Sequence, residues 1–131
     1  MNIIVKKVNE EPKVVSYEEF GLDEMQEIVG GLIEAVYVGG EIDLWCNDEG
    51  KILGLPSNIA LGDADERRLL DVINGDIFFA ARDESGDTIG LTEAQSIWIM
   101  NQFKNPPYIL TIEDDTISSL PVWHYNPTAT L

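Results

Sequence analysis

A chain of 131 residues, 44% of them apolar, is long enough to bury a core without staples, because a domain of this size takes roughly two-thirds of its unfolded surface out of water. Its 24 Asp and Glu against 8 Lys and Arg give a formal charge of −16. Such a surface repels nucleic acid and anionic membrane, which are bound through Lys and Arg on phosphate, and it attracts basic partners.

Cysteine usage narrows the chemistry further. Cys46 stands alone, so no internal disulfide and no cysteine-built zinc site can form within one chain. It lies in an apolar run and reads as a buried, inert thiol. The opening MNIIVKKVNEE is too short and polar for a signal peptide, and no apolar run approaches the ~20 residues of a membrane span. The expectation is one domain in the cytoplasm.

Asn2–Val8 is rich in β-branched residues and predicts a strand, Asn9–Pro12 a turn, and Lys13–Tyr17 the returning strand. Leu22, Met25, Ile28 and Val29 follow helical spacing, with acids in the first turn complementing the helix dipole and Gly30-Gly31 stopping the helix. Leu32–Val38 predicts a strand, Gly39-Gly40 a turn, and Ile42–Cys46 another strand. Asn47-Asp48-Glu49-Gly50 then reads as a four-residue hairpin connection to a strand at Lys51–Leu55. It is a poor calcium loop, because Lys51, Ile52 and Leu53 stand where oxygen ligands belong.

Pro56-Ser57-Asn58 is expected to end that hairpin, with Asn58 as a cap. Gly62–Glu66 reads as an acidic loop, and a helix is expected from Asp65 to Ile73 with Leu69, Leu70 and Ile73 inward. Its Arg67-Arg68 pair reads as bonding to nearby acids. Asn74-Gly75 ends it. Asp76–Arg82 predicts a strand, and Asp83–Asp87 a surface turn. Thr92 caps a second helix whose apolar face is expected from Ile97, Trp98, Met100 and Phe103. Pro106-Pro107 breaks that helix, and Tyr108–Ile112 predicts a last edge strand. The remaining Pro, Ser and Thr residues, with Trp123, His124 and Tyr125, read as a tail that packs on the domain or stays disordered.

The expected fold is therefore α+β: a mainly antiparallel sheet with two or three short helices packed on it. Catalytic patterns are absent. One His and one Cys far apart make no dyad, and no nucleophile elbow, zincin, P-loop or dinucleotide fingerprint appears. No enzyme activity, cofactor or metal is expected. From Val14 to Gly50 there are ten acids and no Lys or Arg. Glu18, Glu19, Asp23, Glu24 and Glu27 are the candidates for one continuous acidic face that binds a partner.

Three blocks carry a family resemblance. Gln26–Glu34 (QEIVGGLIE), Cys46–Leu61 (CNDEGKILGLPSNIAL) and Asp71–Phe79 (DVINGDIFF) resemble, in order and spacing, the QEIVGGYIE-, CNEEGKLLGLPPNRAL- and DIIAGTFF-like blocks of the domain of unknown function 3846 family. Leu32 replaces the family's usual tyrosine, and Ile59 its usual arginine. The likeness covers residues 1–105 and leaves 106–131 as a Pro/Ser/Thr-rich extension. It implies a phage, plasmid or conjugative-element setting, where small acidic accessory proteins often counter host defences. It also marks Gly30, Gly31, Glu34, Asn47, Gly54 and Asn58 as a candidate ligand pocket, since glycines admit close approach and Asn both donates and accepts.

Two functions follow as expectations. The first is a non-enzymatic protein that binds and inhibits a basic host factor, a nuclease or other defence protein, as a nucleic-acid mimic. The second is a small-molecule or nucleotide sponge built on the Gly-rich hairpin region. A phosphate ligand would require Lys51, Arg67, Arg68 or Arg82 to converge.

Overall fold

A computed structural model describes residues 1–63, 68–113 and 115–131. Along the chain run β1 (Asn2–Lys6), β2 (Lys13–Ser16), α1 (Leu22–Val29), β3 (Ile33–Gly39), β4 (Ile42–Asn47), β5 (Ser57–Asp63), β6 (Arg68–Asn74), β7 (Ile77–Arg82), β8 (Thr88–Ile89), α2 (Glu93–Gln102), β9 (Tyr108–Glu113) and β10 (Thr116–His124). They form two sheets. The first has the order β2-β1-β7-β4-β3, with β8 also on β7, and every pairing in it is antiparallel. The second has the order β6-β5-β10-β9, antiparallel except between β5 and β10. The fold is thus mainly antiparallel, with two helices.

Period-two alternation sorts the core into two halves. On one face of the first sheet Ile3, Val5, Phe78 and Ala80 pack with Met25 and Val29 of α1. On the other, Ile4, Leu44, Ile77 and Phe79 meet Ile59 and Trp123 of the second sheet and Ile99 of α2. Trp123 is 1% exposed and stacks on Phe79 with ring centres 5.0 Å apart. Aromatic side chains of this kind dominate core energetics through the apolar area they bury. The first sheet is therefore covered on both faces, which explains why β7 is apolar at nearly every position.

The hairpin β1–β2, both helices, the Gly39-Gly40 turn and the β9 edge strand stand where the sequence places them. Gly30 takes φ 78° as the left-handed residue that ends α1. At Gly39 a Cβ would come 2.3 Å from the Asn126 carbonyl oxygen. Gly40 N–H donates to Ala129 O at 2.9 Å, so the chain's last residues lie on this turn.

Four expectations are corrected. Lys51–Leu55 is not a strand: Leu53 N–H donates to Glu49 O and Leu55 N–H to Gly50 O, which are helix-like turns, and Ile52 is 84% exposed. A hairpin partner had no place to bind, because β4 already pairs β3 on one edge and β7 on the other.

Pro56-Ser57-Asn58 does not end a hairpin but leads into β5 of the second sheet, with Asn58 buried in the strand rather than capping a turn. Gly62 and Asp63 belong to the same strand. Within the helix expected over Asp65–Ile73, residues 65–67 lie outside the described residues, and 68–73 form β6. This strand pairs with β5, whose edge would otherwise leave backbone donors and acceptors unmatched. On α2 Trp98, Met100 and Phe103 pack on the core as expected, joined by buried Ile99, whereas Ile97 is 53% exposed.

Candidate functional site

The residues of the acidic window do not all meet. Glu18, Glu19, Asp23 and Glu27 are exposed, and Glu24 is half-buried. Glu24 and Glu27 face a groove of about 530 Å³ between α1 and the β1–β2 hairpin. Glu18, Glu19 and Asp23 lie outside it. Met25 and Val29 anchor α1 on the sheet, and helical spacing then turns Glu24, Glu27 and Ile28 toward the hairpin.

The hairpin supplies the other wall. Val5 and Lys7 alternate along and beyond β1, and Lys13, Val15 and Tyr17 along and beyond β2, in a register that sets Val5 opposite Lys13. Val5, Val15, Tyr17 and Ile28 form an apolar floor. Glu10 and Glu11 come from the β1–β2 turn, and Asp76 from the start of β7. Asp76 Oδ1 accepts from Val8 N–H at 2.9 Å, which ties that carboxylate to the turn. Five carboxylates thus rim the groove against the two ammoniums of Lys7 and Lys13. Lys13 approaches Glu10 at 3.9 Å in an exposed pair, a contact of little energetic weight.

Sequence reasoning missed Glu10, Glu11 and Asp76. The signal available was the hairpin itself, since its turn and the start of the strand pairing with β1 must end on the same side of the sheet.

The candidate ligand residues separate. Asn47 is buried; its Nδ2 donates to Val29 O at 3.2 Å and its Oδ1 accepts from Glu49 N–H at 2.8 Å. A Cβ at Gly31 would sit 2.9 Å from that Nδ2, so glycine there serves the approach of Asn47. Asn58 is 2% exposed and bonds Lys6 O, Gly75 O and Lys6 Nζ. Glu34 is exposed and shares a shallow cavity with Asn47. Asn58 lines a different cavity, while Gly30 and Gly54 line neither. Ile59, at the position of the family's usual arginine, is wholly buried in the core.

The cations are also dispersed. Arg82 bonds Asp43, with its Nε 3.0 Å from Oδ2, and stacks 4.6 Å from the Tyr37 ring centre. That bond raises the guanidinium pKa. Lys51 bonds Asp71, and Arg68 lies 3.7 Å from Asp63. Arg67 lies outside the described residues. The Cys46 thiol is pushed up to about 11, first by burial and then by Glu34, which makes it a poor nucleophile. In the Asp83–Asp87 turn, Asp83 Oδ1 accepts from Ser85 and Asp87 N–H, so its oxygen serves the backbone. Among the described residues no helix is long and apolar enough to cross a membrane.

A family model described as Domain of unknown function (DUF3846) matches residues 1–105, which span β1 through α2. No curated protein and no solved structure matches the chain.

Proposed function

We propose that this chain, which belongs to the domain of unknown function 3846 family, is a non-catalytic accessory protein of a phage or other mobile element that acts by binding a basic host protein. The groove between α1 and the β1–β2 hairpin is its anchor point. The observation that carries this reading is the convergence of Glu10, Glu11, Glu24, Glu27 and Asp76 over an apolar floor.

A Lys or Arg side chain has the complementary form. Its aliphatic stem lies on Val5, Val15, Tyr17 and Ile28 while its charged head meets the carboxylates. The wider charge of −16 steers such a partner and repels nucleic acid. A basic nucleic-acid-binding surface, as on a nuclease or defence factor in the bacterial cytoplasm, fits both features. Occupying it would inhibit that factor as a nucleic-acid mimic. The sponge reading draws no comparable support, because Asn47 and Asn58 are bonded within the fold and Lys51, Arg68 and Arg82 each meet a different carboxylate.

The test is capture of host protein by the tagged chain at low salt, elution with rising salt, and repetition with Glu10, Glu11, Glu24 and Glu27 all changed to Gln. A basic protein released by salt, lost with the variant and inhibited by the native chain supports the reading. Capture that survives both high salt and the four substitutions sinks it.

A further inference from the structure

Lys6 is a charged residue in an unusual place. It follows Ile4 on the face of β1 that looks toward the second sheet, and it is only 5% exposed. Its Nζ donates to Asn58 Oδ1 and to Lys7 O, both at 2.8 Å. An ammonium carries three N–H donors, and the third has no acceptor among the described residues. No carboxylate among them bonds it. Asn58 is held rigid by its own bonds to Lys6 O and Gly75 O.

Lys6 lines a cavity of about 180 Å³. The Asn9–Pro12 turn closes one side. Phe103, Pro106, Tyr108 and Ser119, from the end of α2 and from β9 and β10, close the other. Glu10 and Glu11 reach this cavity as well as the groove described above.

The charged groups that line the cavity are of opposite sign. A simple anion suits Lys6 but meets Glu10 and Glu11, whereas a simple cation suits the glutamates but meets Lys6. We propose that this cavity binds a small zwitterion of amino-acid size, with its carboxylate on Lys6 and its ammonium toward Glu10 and Glu11. A small amino acid carries both charges in few atoms, which suits a cavity of about 180 Å³. The buried ammonium is pre-oriented by Asn58, so little ordering is required on binding. Burial lowers the Lys6 pKa against the raising influence of Glu11, Asp76 and Glu10. A ligand carboxylate opposes that burial effect and raises it. The proposal stands independently of the partner-binding reading.

The test uses the full chain with Lys side-chain carbons labelled for NMR. The probes are glycine, alanine, acetate and ethylamine. Glycine and alanine are expected to shift the Lys6 Cε signal and move its titration to higher pH. Acetate and ethylamine, each lacking one charge, should bind roughly tenfold or more weakly. Lys6→Met removes the signal and also strips Asn58 of a donor, so Glu11→Gln is the second variant: it leaves the buried pair intact, weakens glycine and, by removing a repelling charge, tightens acetate. Equal binding of glycine and acetate overturns the proposal, as does an unmoved Lys6 signal with all four probes.

Discussion

Two sets of polar residues teach opposite lessons. In the Gly-Asn region, Asn47 and Asn58 sit inside the protein and bond the backbone carbonyls of Val29, Lys6 and Gly75. In the groove, Glu10, Glu11 and Glu27 sit at the surface, held in place by the turn and helix that carry them. A buried amide is consumed by the fold, and removing it leaves partners unmatched. An exposed carboxylate leaves the fold indifferent and remains free for a partner. Sequence reasoning marked Asn47, Asn58 and Glu27 alike for binding and passed over Glu10 and Glu11.

Substitutions can break that contrast. Asn58→Ala is expected to cost most, about 3 kcal/mol or more, because it removes three hydrogen bonds and leaves the buried Lys6 ammonium short of an acceptor. Denaturant unfolding reads this directly; a cost below ~1 kcal/mol would place Asn58 with the surface groups. Asn47→Ala follows with about 1–3 kcal/mol, from two lost bonds and the Val29 carbonyl left unpaired.

Cys46→Ala is expected to cost less at neutral pH, about 1 kcal/mol, and its mark is in the pH profile. The folded thiol titrates near 11 against an ordinary 9.0. The folded state therefore holds a proton that the unfolded chain releases, so this stabilisation is full below pH 9.0 and is lost as pH rises through 11. The native chain should lose stability across that window relative to Cys46→Ala, and parallel profiles would refute the assignment. Smallest of all in stability is the replacement of Glu10, Glu11, Glu24 and Glu27 by Gln. The melting midpoint should stay essentially where it was, because the amide oxygen that Glu24→Gln introduces still accepts from the Gly21 N–H that Glu24 now bonds. Salt-sensitive partner binding should disappear, and a large fall in melting temperature would instead make these carboxylates structural.

Most elements were legible because local signals agreed with the tertiary outcome. The first hairpin, α1 with its glycine stop, the Thr92-capped α2 and the β7 strand each carry periodicity and end signals that no neighbour overrides. The failures have one cause. Lys51–Leu55 has strand-like residues, but β4 offers it no edge. Residues 68–73 have helical spacing, but β5 presents an open edge that draws them into a strand. Of the groove, Glu24 and Glu27 were legible as acids on a helix, whereas Glu10, Glu11 and Asp76 join them only through strand pairing.

By itself the sequence determined the charge, the mainly antiparallel α+β class, the helix ends and the family, since these depend on composition, short-range periodicity and motif order. Only the tertiary structure decided that β5 and β10 run side by side, that Trp123 fills the core, and which acids share a groove. Those outcomes depend on which sheet edges are already occupied and which faces already covered, and that information belongs to the assembled chain rather than to any segment of it.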